Sequence, residues 1–144
     1  MPDREDGATM RTSIYHKSRS VVALTSAARN NTGTPFAGAT VDRYQAGVVE
    51  YRTLMFVIST ATVTDGSHVF TVQDSDDGTS WGTPNAGDVQ GTAPTITSTN
   101  SNAVFDVGYN GAKRYARLQV AVSGATTGGV YSAAAVLYGT RRDR

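Results

Sequence analysis

Cysteine is absent from the chain, so neither disulfides nor thiolate metal sites can hold it together, and stability must come from packing, hydrogen bonds or assembly. Histidine is nearly absent too: His16 and His68 are the only imidazoles. A Ser-His-Asp hydrolase or a zinc site would need one of them beside partners that no local motif supplies, so no enzyme and no metal are expected. Lysine and glutamate occur twice each and leucine four times, which leaves few of the straight-chain residues that favour helices. Long apolar runs are missing. Leu54 to Ile58 and Ala133 to Leu137 are the longest, far short of the ~20 residues of a bilayer-spanning helix, so no membrane partner is expected. The opening Met1-Pro2-Asp3-Arg4-Glu5-Asp6 mixes charges with no apolar stretch behind it, and neither a secretory signal nor a lipidation site is expected there. Gly78 and Gly82 open no helix and are followed by no lysine at phosphate-loop spacing, so nucleotide binding has no motif and no cofactor is expected.

What is abundant points to strands. Twenty threonines and sixteen valines among 144 residues suit a pleated, half-buried surface. That length is enough for one domain, burying roughly 68% of the unfolded chain's surface. Residues 1–19 show no apolar period and read as a flexible N-terminal arm; residues 20–144 read as the domain. Within it, Ser20 to Thr25 and Ala39 to Arg43 are candidate strands, with a polar loop from Ser26 to Gly38 between them. Leu54 to Thr64 is apolar on both sides in its first half, as a central strand would be. Asp65-Gly66 is a two-residue hairpin signal into Ser67 to Gln73, where His68 shares a face with Phe70 and Val72 at the rim of the core. Gly82 to Asn102 has only Val89 and Ile96 as sizeable apolar anchors and is expected to be irregular. Tyr115 to Ser123 alternates cleanly, with Ala116, Leu118, Val120 and Val122 inward and Tyr115, Arg117, Gln119 and Ala121 outward. An alanine-rich strand, Val130 to Tyr138, closes the chain. Seven or eight short strands and no amphipathic helix predict an all-β fold, a single β-sandwich of jelly-roll type.

Charge is segregated along this framework. Between Thr53 and Ala112 stand six aspartates, Asp65, Asp74, Asp76, Asp77, Asp88 and Asp106, and no Lys or Arg. From Lys113 onward the chain carries Lys113, Arg114, Arg117, Arg141, Arg142 and Arg144 against Asp143 alone. Such patches suit contacts between copies or docking on a charged scaffold, and they also arise where loops merely carry charge. Asp74, Asp76 and Gly78 have the opening of a calcium loop, but the glycine falls one place early and Asn85 stands where the bidentate glutamate belongs, so a solvated turn is expected. Pairs such as Asp76/Asp77 sit too close in one turn to face each other across a sugar. Tyr109, Tyr115 and Arg117 read either as interface anchors or as ordinary outward strand residues.

The order Val41-Asp42, then Ala61 to Val72, the Ser75-Asp76-Asp77-Gly78-Thr79 turn, Val107 to Gly111 and Lys113-Arg114-Tyr115-Ala116-Arg117-Leu118 resembles the small β-rich head decoration, or cement, proteins of tailed bacteriophages. The resemblance covers Val41 to the end, about two thirds of the chain. It implies a structural virion protein on the capsid surface, made in the host cytoplasm. Its partners would be the major capsid protein and copies of itself, with no catalysis and no direct nucleic-acid contact. On that reading the interface draws on Arg11, Ile14, Tyr15, Lys17, Tyr109, Lys113, Arg114, Tyr115, Arg117, Arg141 and Arg142. A second resemblance competes, because Arg114-Tyr115-Ala116-Arg117-Leu118 is similar to a strand of galactose-binding-like jelly rolls. It implies a carbohydrate-binding module of a phage tail or surface protein, for which Trp81 is the only tryptophan on offer.

Overall fold

Apolar side chains at every second position of six long strands meet between two antiparallel sheets. The computed structural model describes residues 13–30, 35–45 and 49–140. The long strands are β1 (Ser18–Arg29), β5 (Val49–Val63), β6 (Ser67–Ser75), β9 (Val104–Tyr109), β10 (Tyr115–Ser123) and β11 (Gly129–Thr140). Between them lie the two-residue strands β2 (Phe36–Ala37), β3 (Val41–Asp42), β4 (Tyr44–Gln45), β7 (Val89–Gln90) and β8 (Thr95–Ile96). A single helical turn, α1 (Ile14–Lys17), precedes β1.

The first sheet runs β1-β11-β5-β9-β7, with β4 added on β5; the second runs β2-β10-β6-β8, with β3 added on β10. The fold is therefore an all-β sandwich. Its core comes from both inner faces: Leu54, Phe56, Ile58, Val107, Tyr109, Tyr131, Ala133, Ala135 and Leu137 from the first sheet, and Phe70, Val72, Ile96, Ala116, Leu118, Val120 and Val122 from the second. Each large side chain so buried contributes roughly 1.5–3 kcal/mol through removal of apolar area from water.

The alternation read in Tyr115 to Ser123 appears as β10, whose even-numbered positions are buried. β5 is central, paired with β11 on one side and β9 on the other, as its two-sided apolar run predicted. Gly82 to Asn102 holds only a 3-10 turn (Ala86–Asp88) and the short β7 and β8, pinned by the fully buried Ile96.

Three expectations need correction. Asp65-Gly66 is not a hairpin: β5 and β6 lie in different sheets, and the dipeptide arches between them. The cause is non-local, since the Asp65 carboxylate accepts the amides of Thr126, Thr127 and Gly128, which belong to the β10–β11 arch. One carboxylate thus ties two sheet-changing arches together. His68 is not at the rim either but fully buried, with Nδ1 2.8 Å from the Tyr131 hydroxyl and Nε2 3.1 Å from the Asp65 carbonyl. Finally, strand pairing begins at Ser18, opposite Tyr138, and includes Arg19, so the two last residues assigned to the arm belong to β1. Ser13 and α1 make up residues 13–17 of that arm, and residues 1–12 lie outside the described residues.

Candidate functional site

The strand pairs bring Arg114, Tyr115 and Arg117 of the sequence-predicted set together on the second sheet. Tyr115 of β10 pairs with Asp42 of β3, which brings Arg114 beside that aspartate although 72 residues separate them. Arg114 Nε and Nη2 donate to the two Asp42 oxygens at 2.8 and 2.9 Å, a bidentate fork. The guanidinium also lies over Tyr44 at 5.2 Å and Tyr115 at 5.0 Å from the ring centroids. Two rings and a carboxylate thereby hold a half-exposed arginine in one orientation. Partial desolvation works against the Asp42 charge, but the Arg114 hydrogen bonds, the Tyr44 amide and the Arg114 charge outweigh it and keep the carboxyl below its ordinary range.

Arg117 of β10, three residues after Arg114, repeats the arrangement. Its Nε donates to Gln73 Oε1 at 2.8 Å, and its guanidinium sits 4.2 Å from the centre of the Trp81 ring. One face of the tryptophan is therefore occupied by arginine instead of being open to a sugar ring. Partial burial lowers the Arg117 pKa from its usual value. Asp42, Tyr44, Gln73 and Trp81 complete these stacks but were absent from the predicted set: the β3–β10 and β6–β10 registers bring in Asp42 and Gln73, and β4 and the loop after β6 bring in Tyr44 and Trp81.

Other predicted residues are placed differently. Tyr109 is no surface anchor: it is fully buried, its hydroxyl donates to Asp74 Oδ2 at 2.8 Å, and Arg43 lies 5.9 Å from its ring. Position 109 falls on the inward side of β9 opposite Leu54, which is why the outward reading fails. Burial, then the hydrogen bond to Asp74, raises the Tyr109 pKa. Lys113 stands 3.8 Å from Asp74 and 4.0 Å from Asp76. Acidic and basic segments thus meet within one chain at Lys113, where contacts across copies were expected. Ile14 and Tyr15 project from α1, 74% and 85% exposed, with Ser13 capping the turn by accepting the Tyr15 amide. Lys17 closes the same turn, and Arg11, Arg141 and Arg142 lie outside the described residues.

The acidic turn is organised by its own backbone. Asp77 Oδ1 accepts from the amides of Thr79 and Ser80 and from the Ser75 hydroxyl, which together hold its carboxyl far below the ordinary range. Asp65 is lowered in the same way by the amides of Gly128, Thr127 and Thr126. Among the described residues no group of three or more His, Cys, Asp or Glu side chains is placed to hold a metal, and no helix is long and apolar enough to cross a membrane. No family model matches the chain, and no curated protein matches it. The site must be read from its own geometry.

That geometry carries a pH dependence. Asp42, Asp65 and Asp77 all have folded-state pKa values below their unfolded ones, so their stabilisation is complete above the unfolded value and is lost as pH falls through the folded values. The melting temperature is expected to drop below about pH 4. Asp65→Asn should melt lower than the parent at pH 7, and the gap should narrow at pH 2. A gap equally wide at both pH values would show that the carboxylate charge does not hold the two arches.

Proposed function

We propose that this chain is a structural protein of a virion, a decoration or cement protein on the head of a tailed bacteriophage that binds between major capsid subunits. The observation that carries the reading is the pair of arginine stacks on the second sheet, Arg114 on Tyr44 and Tyr115 and Arg117 on Trp81. Arginine, tyrosine and tryptophan dominate protein interfaces energetically, and here their rotamers are fixed before any partner arrives, so little side-chain entropy is left to lose. The resemblance noted in the sequence supports the same conclusion, as does a jelly-roll reading of the sandwich. Each long strand before β11 is followed by a change of sheet, and the orders β1-β11-β5-β9 and β2-β10-β6-β8 are those of two nested Greek keys. Such a role requires no catalysis. Each copy contributes a modest contact, and repetition over a symmetric shell multiplies it into avidity.

The test is binding to purified empty shells built of the major capsid protein. The double change Arg114→Glu with Arg117→Glu is expected to weaken binding at least tenfold, about 1.4 kcal/mol, and more at low salt, where screening is least. Failure of the parent protein to bind shells at all would sink the proposal. Equal binding by parent and variant would show that the stacks do not face the capsid.

A further inference from the structure

Among the described residues, α1 borders the outer face of the first sheet at one end, and Val22, Met55, Val104 and Tyr138 of that face remain exposed. The ladders of that sheet align Ser20, Val136, Met55 and Gly108 in one row and Val22, Ala134, Val57 and Asp106 in the next. Val104 and Tyr138 flank these rows. Val22 is 58% and Val104 62% exposed. Asp106 is the only charged residue in either row. At one end the face sinks into a hollow of about 650 Å3 lined by Leu54, Met55, Gly108, Val136 and Tyr138, with Ile14 of α1 at its lip. The next residue, Tyr15, stands almost fully in solvent.

We infer that this face is where a second copy of the chain docks, the Ile14–Tyr15 projection of one copy entering the hollow of the other. Three observations select that occupant. The two rows hold no lysine or arginine, so they offer nothing to nucleic-acid phosphates or anionic lipid headgroups. The chain carries projection and hollow side by side, so a copy supplies the complement to both. Size is the third: four strands about 4.8 Å apart, followed for about seven residues, present on the order of 400–500 Å2. Two such faces together with the α1 projections reach the roughly 1,000 Å2 that a specific interface needs.

The inference extends the reading that copies of this chain associate, and its test separates it from the capsid role. Sedimentation velocity of the full chain from about 1 to 100 µM should show an assembly of two or more copies. Met55→Glu and, separately, Val136→Glu should convert it to a folded monomer, because both side chains point away from the core. Val69→Glu, on the outer face of the other sheet, should leave the assembly intact. A parent protein that stays monomeric throughout, or an assembly that survives Met55→Glu and Val136→Glu, overturns the inference. Were the parent monomeric and shell binding lost in Met55→Glu, the face would meet the capsid instead and the virion role would stand. An assembling parent that binds no shells would leave this interface standing and remove the virion role.

Discussion

Tyr131→Ala is expected to destabilise the fold by about 3–5 kcal/mol, the cost of emptying a buried aromatic site. Tyr131 is fully buried, meets Phe70 and His68 edge-on at 5.2 Å each, and lies under the Arg29 guanidinium. Burial pushes its hydroxyl pKa up to about 12. The hydroxyl also has a defined task. The Asp65 carbonyl can only accept, so His68 Nε2 carries a proton, and in the neutral ring Nδ1 then accepts from Tyr131. Tyr131→Phe keeps the ring and removes that donor, which should cost about 1–3 kcal/mol for a buried acceptor left without a partner. Urea unfolding of the two variants separates packing from hydrogen bonding. A loss below 1 kcal/mol for Tyr131→Ala would mean the site collapses freely and the core is looser than described.

Gly128→Ala should be worse tolerated than its size suggests. Gly128 has φ +79°, its amide donates to Asp65 Oδ1 at 2.6 Å, and its carbonyl accepts from Thr64. A Cβ there would overlap the carbonyl oxygen of Arg29 and approach Asn30 Cα to 2.8 Å, all of it backbone. Left-handed strain alone costs roughly 1–2 kcal/mol. The clash adds the separation of β1 from the arch, so a total on the order of 3 kcal/mol or more follows. Gly124 is the control: φ is +65°, but nothing lies within 4 Å of the added carbon. Gly124→Ala should therefore show the conformational cost only. If thermal melts place the two variants level, the close approach between the β10–β11 arch and the end of β1 is not real.

Local patterns in the sequence told where most long strands lie, and much of which way they face, because period-two alternation records burial directly. Ala116 to Val122 is the clearest case. They did not tell where the strands end, since residues 26–29 and 36–37, read as loop, belong to β1 and β2. Nor did they tell which strand pairs with which. Asp65-Gly66 has the chemistry of a tight hairpin, yet its aspartate binds amides some sixty residues away and the strands it joins part into different sheets. Tyr109 shows the same limit at one residue. An exposed reading was reasonable beside Asn110-Gly111, but the register with Leu54 turns the ring inward onto Asp74. The arginines of the site were visible, whereas the rings and carboxylate that orient them come from β3, β4 and the loop after β6.

The position of β11 bears on how the chain reaches this state. The last strand among the described residues lies between β1 and β5, so those two cannot join a common sheet until residues 129–140 have been made. Until then a growing chain would hold β1 and β5 with open edges and much of the core without a lid. Contacts of such long sequence separation slow folding and prolong exposure of sticky intermediates. Completion of the first sheet therefore waits for β11, and a chain that lacks residues 129–140 lacks the strand that joins β1 to β5.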